Sequence, residues 1–175
     1  FDRSWSQTGR WGFEPALQAT TMRDQLIAYL GLKDVVRQGW VNAGVQGPES
    51  VAAHSWGMAV LALKLCPKEL NLEHVLKLCL VHDLPEVVVG DLTPEDDRTT
   101  KVEDERAAME QLAPEWVALY DEYESQSSPE SVFVRSLDKL DMALQAAVYS
   151  ERTGIDLSSF VESARKTLGD HELLR

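Results

Sequence analysis

The sequence predicts an all-α fold in one domain. Apolar residues recur at the three- and four-residue spacing of amphipathic helices. Those segments open on capping residues and close near Gly or Pro, and no run reads as a strand. At 175 residues, 44% of them hydrophobic and 26% charged, the chain is long enough and apolar enough to enclose a core.

Residues 1–20, with Trp5, Trp11 and no clear period, read as an irregular arm, and 21–175 as the single folded domain. Thr21 and Asp24 have the spacing of a capping pair and predict a helix to about Leu30, ahead of Gly31. A short apolar turn, Leu32 to Val36, leads into Arg37-Gln38-Gly39-Trp40 and a loop through Gly44, Gly47 and Pro48. Ser50 is placed to cap a helix whose stripe is Val51, Met58, Leu61, Ala62 and Leu65, until Pro67 stops it. Asn71 caps the next, from Leu72 to about Leu84, apolar on several sides and therefore central. The loop from Val88 to Arg98 holds Gly90, Pro94 and a cluster of acids. Thr100 and Glu103 predict a capping box for a charged helix reaching Leu112. Pro114 opens a helix to about Tyr123, and Ser127-Ser128-Pro129 breaks the chain. A long buried helix then runs from Ser131 to about Glu151, and an amphipathic one from Leu157 to Leu168.

The formal net charge of −12 disfavours a nucleic-acid polymer as partner, because a strongly acidic surface repels a phosphate backbone. A small anionic substrate stays open, since a bound cation and a few basic residues can reverse the field inside a pocket. No stretch approaches the ~20 apolar residues of a membrane span, and no signal-like run occurs at the start. The cytoplasm is the expected location and no membrane partner is expected. Cys66 and Cys79, in apolar helical contexts, are expected to be plain core residues.

The chemistry concentrates in Leu80-Val81-His82-Asp83-Leu84-Pro85-Glu86. A carboxylate at the end of an apolar helix costs several kcal/mol to bury alone, whereas a metal ion stabilises it directly. Pro85 distorts the chain there, which lets two adjacent side chains reach one ion. Glu86, four residues after His82, shares its face and is placed to orient or deprotonate a water. His54 sits at the edge of its helix's apolar stripe. In Ser136-Leu137-Asp138-Lys139-Leu140-Asp141 acids interrupt the most apolar helix, so one of them is expected to face inward. Two imidazoles and two carboxylates suit one divalent ion such as Mn, Co or Fe, with Mg or others also admissible.

The series His54, His82-Asp83, Asp138 resembles the H…HD…D pattern of HD-domain phosphohydrolases. It is most similar to their 5′-deoxynucleotidase branch, the YfbR and HDDC2 type. Gly39-Trp40-Val41, Val45-Gln46, Pro48-Glu49-Ser50-Val51, Gly90-Asp91-Leu92-Thr93-Pro94, Glu105 to Leu112 and Leu137 to Ala146 carry the likeness, over about residues 30 to 150. The resemblance implies a single HD-domain helical bundle with a central metal held by His54, His82, Asp83 and Asp138. It implies hydrolysis of deoxyribonucleoside 5′-monophosphates to nucleoside and phosphate. Glu86 and Asp91 would flank the attacking water and leaving group, Arg37 would neutralise the phosphate, and Trp40 would pack on the sugar against a 2′-hydroxyl. Lys139 is placed to help Arg37. Such relatives also suggest a homodimer. Ala53, Ala43 and Gly47 depart from the branch, which usually carries an acid before the first histidine and basic residues in that loop.

Two further functions stay open. One is a phosphodiesterase or guanosine tetraphosphate hydrolase; the other is a nucleotide-sensing protein that keeps the site without turnover. No histidine lies between His82 and His171, which favours one metal over two. His74 and His171 are expected at the surface or in the tail.

Overall fold

The computed structural model describes residues 21–93, 96 and 99–174; the arm expected over residues 1–20 lies outside them. Among the described residues the fold is helical throughout, without a strand, as the patterning predicts. Helix α1 (Met22–Leu30) starts where expected, the Thr21 hydroxyl accepting the Asp24 N–H at 3.2 Å. A 3-10 turn at Gly31–Lys33 then feeds a short extended segment. That segment is clamped to the chain ahead of α3 (Val51–Leu65): the Arg37 N–H donates to the Glu49 carbonyl at 3.1 Å and the Val51 N–H to the Val35 carbonyl at 2.8 Å. The clamp sets Arg37, and α2 (Gln38–Asn42) after it, beside the first turn of α3.

The Ser50 hydroxyl caps α3 by accepting the Ala53 N–H, and the Asn71 side chain caps α4 (Leu72–Val81) by accepting the His74 N–H. α4 ends three residues before the expected Leu84. Pro85 has no N–H for the Val81 carbonyl and its ring would crowd that carbonyl, so the helix unwinds into a turn over 82–85. A single turn of helix, α5 (Glu86–Val89), follows and stops at Gly90, whose φ of 83° suits glycine.

The predicted Thr100–Glu103 capping box does not form. The Thr100 hydroxyl donates instead to Asp104 Oδ2 at 2.8 Å and caps no amide of α6 (Lys101–Leu112). Pro114 opens only a 3-10 turn, and α7 (Val117–Ser125) begins after it. The long helix α8 (Pro129–Thr153) has a capping box of Ser128 and Ser131 at its start and Gly154 at its end; α9 (Ser158–Leu168) folds back along it. His74, expected at the surface or in the tail, keeps 31% of its side chain exposed and pairs across α4 and α7, with Nε2 2.8 Å from Glu122 Oε1.

α8 is the spine, packing on α3, α4, α7 and α9. Met58, Leu78, Cys79, Val134 and Leu137 fill the space between α3, α4 and α8. Trp40, Tyr149 and Leu157 close one flank, and Leu32, Val51, Leu84, Met109 and Tyr120 the other. Between those flanks α3, the end of α4, α5 and the middle of α8 meet. No helix among the described residues is long and apolar enough to cross a membrane.

A candidate metal and phosphate site

His54 lies one turn after the Ser50 cap, on the face of α3 that also buries Val51, Met58 and Ala62, and is itself wholly buried. His82 caps the C-terminal end of α4, and the break before Pro85 turns Asp83 toward the same point, with His82 Nε2 and Asp83 Oδ2 3.1 Å apart. α8 adds Asp138 between the buried Leu137 and Leu140, its Oδ1 3.4 Å from His54 Nε2. Asp83 Oδ2 also approaches His54 Nε2 to 4.0 Å. His54, His82 and Asp83 each offer a ligand atom within 4.8 Å of the others. His54 on α3 and His82 with Asp83 in the turn after α4 thus form one cluster of ligand atoms, and Asp138 on α8 borders it through His54.

Their hydrogen bonds say what that point requires. His82 Nδ1 lies 3.0 Å from the Cys79 carbonyl, which can only accept, so Nδ1 carries a proton. His54 Nδ1 lies 2.7 Å from Asp141 Oδ2, and a carboxylate likewise calls for an N–H. Both ε nitrogens are buried without a hydrogen bond, and they face carboxylate oxygens. Lone pairs and anionic oxygens converging in a dry interior repel one another unless a cation lies among them. These residues therefore fit a divalent ion, and imidazole with carboxylate is a donor set such ions take. Without a metal a proton serves instead. Burial and Arg37 oppose a charge on His54, yet Asp138 and Asp141 outweigh them and its pKa is pushed up to about 9. Burial likewise opposes the Asp138 anion, but the His54 ring and the Lys139 ammonium hold it well below the usual carboxylate range.

The remaining predicted residues line one cleft of about 800 Å³ that opens over this point. Arg37 Nη1 is 3.4 Å from Asp83 Oδ2 and 3.9 Å from Asp91 Oδ1, so two carboxylates hold the guanidinium at the cleft wall. Asp91 Oδ2 also accepts the Gln38 N–H at 2.6 Å, at the first amide of α2. Glu86 is buried with Oε2 unpartnered; burial first, then Asp83 and Asp91, push its pKa well above the ordinary value. Lys139 Nζ sits 3.1 Å from Asp138 Oδ2. Trp40 is only 2% exposed, packed on Phe160 and Tyr149 with its indole N–H donated to Glu49 Oε1 at 3.0 Å. It is chiefly a core residue that shows the cleft an edge.

Three neighbours were not singled out from the sequence. Asp141 binds the back of His54. The signal was present in Asp138-x-x-Asp141, since a three-residue spacing puts both acids on one helix face. Gly57 makes room for it: a Cβ there would lie 2.3 Å from Asp141 Oδ1. Tyr123 meets His82 edge-to-face, ring centroids 4.9 Å apart, and donates its hydroxyl toward Asp138 Oδ2, 3.4 Å away. No local pattern marks Tyr123, because α7 reaches the site only through tertiary packing.

The family model described as HD domain matches residues 31–173. This chain belongs to the HD-domain family. The HD-domain chain is 44% identical over 130 residues to the Bos taurus protein named 5′-deoxynucleotidase HDDC2, covering 69% of this chain and 63% of that relative. It therefore spans less than two thirds of that relative's length. Against the 5′-deoxynucleotidase hdd1 of Schizosaccharomyces pombe it is 35% identical over 161 residues, covering 82% and 80% of the two chains. Among solved structures it is similar to a conserved hypothetical protein from Pyrococcus furiosus, with a TM-score of 0.76 at 34% identity, covering 82% of this chain and 90% of that one. The all-α HD fold expected from the sequence is thereby shown.

Proposed function

We propose that this HD-domain chain is a metal-dependent phosphomonoesterase that hydrolyses deoxyribonucleoside 5′-monophosphates to nucleoside and phosphate. The observation that carries the proposal is the pair of unpartnered ε nitrogens, on His54 and His82, facing Asp83 and Asp138 at the floor of a cleft walled by Arg37. The names of the bovine and fission-yeast relatives support the reaction and the substrate class.

In this reading His54, His82, Asp83 and Asp138 hold one divalent cation, with Mn, Co and Fe as candidates. Such an ion supplies Lewis acidity, acidifying water and drawing charge from the phosphoryl oxygens. Arg37, already fixed by Asp83 and Asp91, offers its remaining N–H groups to the phosphate. Glu86, buried in the cleft lining with Oε2 unpartnered, takes the proton of the attacking water, and Asp91 manages the leaving-group side. Lys139 offsets charge that builds on the phosphoryl group. The edge of Trp40 bounds the sugar position, where a 2′-hydroxyl would meet the indole.

A phosphate-release screen tests this, using deoxy- and ribonucleoside monophosphates, cyclic nucleotides and guanosine tetraphosphate with Mn, Co and Mg in turn. Release from the deoxy monophosphates ahead of their ribo forms is the expected result. Silence across the panel would favour a nucleotide-sensing role without turnover instead. Asp83→Ala is expected to lose both bound metal and turnover, and full turnover by that variant without metal would overturn the mechanism.

A further inference from the structure

The sequence marks α6 only as a charged helix, yet its first turn enters the cleft. Lys101 lines the cleft wall and is mostly buried, with Nζ 3.1 Å from Glu105 Oε1 and 3.9 Å from Glu86 Oε1. Glu105 is buried as well, and its other oxygen, Oε2, accepts the hydroxyl of the buried Tyr120 at 2.9 Å. A Tyr–Glu–Lys chain therefore runs from the core between α6 and α7 to the carboxylate at the start of α5. Among the described residues Lys101 is the one cation within ion-pair distance of Glu86.

Burying three polar groups in a row is costly unless each is satisfied by the next, so such a chain fixes its members in place. Lysine alone is a flexible tether on a four-carbon stem. Here Glu105, which accepts the Tyr120 hydroxyl, pairs with the ammonium at 3.1 Å, and Glu86 Oε1 lies 3.9 Å from the same ammonium, within ion-pair distance. The effect falls on one oxygen: Glu86 Oε1 faces Lys101 and Oε2 has no partner, so Oε2 is the oxygen left to take a proton.

We propose that Lys101, backed by Glu105 and Tyr120, is a positioning residue for the proposed hydrolysis, aiming Glu86 by holding its Oε1. The inference rests on the phosphomonoesterase reading of the same site, since Glu86 matters only if it handles the water. It adds to the cleft lining a residue that acts through Glu86 rather than on the phosphate.

The test uses the full chain loaded with Mn, a deoxyribonucleoside monophosphate, and the variants Lys101→Met, Lys101→Arg, Tyr120→Phe and Glu86→Gln, with the Lys101→Met/Glu86→Gln double variant. Displacing a reacting group slightly costs up to about 100-fold in rate. Lys101→Met is thus expected to lower kcat on the order of 10–100-fold with KM and bound metal unchanged. Lys101→Arg restores part of the loss, and Tyr120→Phe, which removes one hydroxyl and should fold, moves kcat the same way by less. In the Glu86→Gln background Lys101→Met adds nothing, because the group it aims is gone.

A Lys101→Met enzyme with wild-type kcat overturns the proposal, and so does a raised KM at constant kcat, the mark of a direct substrate contact. Equal losses in both backgrounds overturn it too, since they make Lys101 independent of Glu86. No turnover by the wild-type chain overturns this inference together with the phosphomonoesterase reading. A wild type that turns over beside an unaffected Lys101 variant overturns this inference alone.

Discussion

A buried imidazole offers two nitrogens, and the partner of one decides what the other can do. In His54 the δ nitrogen is engaged by Asp141 at 2.7 Å, which directs the ε lone pair at Asp83 and Asp138. Removing such an outer partner weakens metal binding about 10–100-fold. Asp141→Ala is therefore expected to lose that factor in a Co titration, with a changed visible spectrum of the bound ion. Asp141→Asn can still accept the N–H and should keep most of the affinity. Gly57→Ala attacks the same contact from the other side: its Cβ would fall 2.3 Å from Asp141 Oδ1, so the carboxylate must move. It is expected to mimic Asp141→Ala in the titration, and an unchanged metal affinity in both would show that His54 is oriented by something else. The His82-Asp83 pair was legible in the sequence because Pro85 and an apolar helix make it awkward as plain structure. Asp141 was half legible, since the pattern required one inward acid on α8 and the structure turns both inward. Tyr123 and the Lys101–Glu105 pair were not legible, because each owes its role to a neighbour distant in the chain.

At the level of elements, the caps that hold are those whose side chain has a free amide to meet. Thr21, Ser50, Asn71 and Ser128 each accept an N–H three residues on, and all four helices start there. Thr100 has the right type and spacing but sits at φ −112° and ψ 9°, outside the extended geometry that aims a hydroxyl at the third amide. Pro114 has the right φ for a first turn, yet the chain needs a 3-10 turn there before α7 can run back across α4. Backbone angles of that kind come from tertiary docking and leave no local mark. The cap that matters most begins α8, which carries Asp138, Lys139 and Asp141. Ser128→Ala removes the acceptor for the Ser131 N–H, at 3.0 Å, and one half of a reciprocal pair. It is expected to cost about 1 kcal/mol, a fall of roughly 2–4 °C in Tm. The site is two turns or more from that end, so metal affinity at room temperature should stay as it was; a lost metal site with a small Tm change would mean that α8 shifts bodily rather than frays.

Over the whole molecule, 29 acidic residues face 17 basic ones, and the excess is of two kinds. Some of it is solvated, as along α6 and α7, where Arg106 is shared between Glu110 and Asp121. The rest is buried in the centre, where Asp83, Glu86, Asp91, Asp138 and Asp141 lie among His54, His82, Arg37, Lys101 and Lys139. Salt and a divalent ion should act on these two populations separately. Physiological salt screens exposed charges beyond about 8 Å and buried ones far less. A cation that binds only the folded chain stabilises it by about 2.7 kcal/mol at a hundred times its Kd, or roughly 5–11 °C for a chain of this size. Chelation is therefore expected to lower Tm by that amount. Raising NaCl from low to physiological strength should lift Tm in both the chelated and the metal-loaded protein by a similar increment, if the cation is kept at the same multiple of its Kd. Thermal melts in the four conditions measure the two increments directly. An ion held by solvated surface carboxylates would behave otherwise: salt would then erase most of its stabilisation, because both would be relieving the same repulsion. Additive increments are the signature of a cation enclosed by His54, His82, Asp83 and Asp138, out of reach of the screening atmosphere.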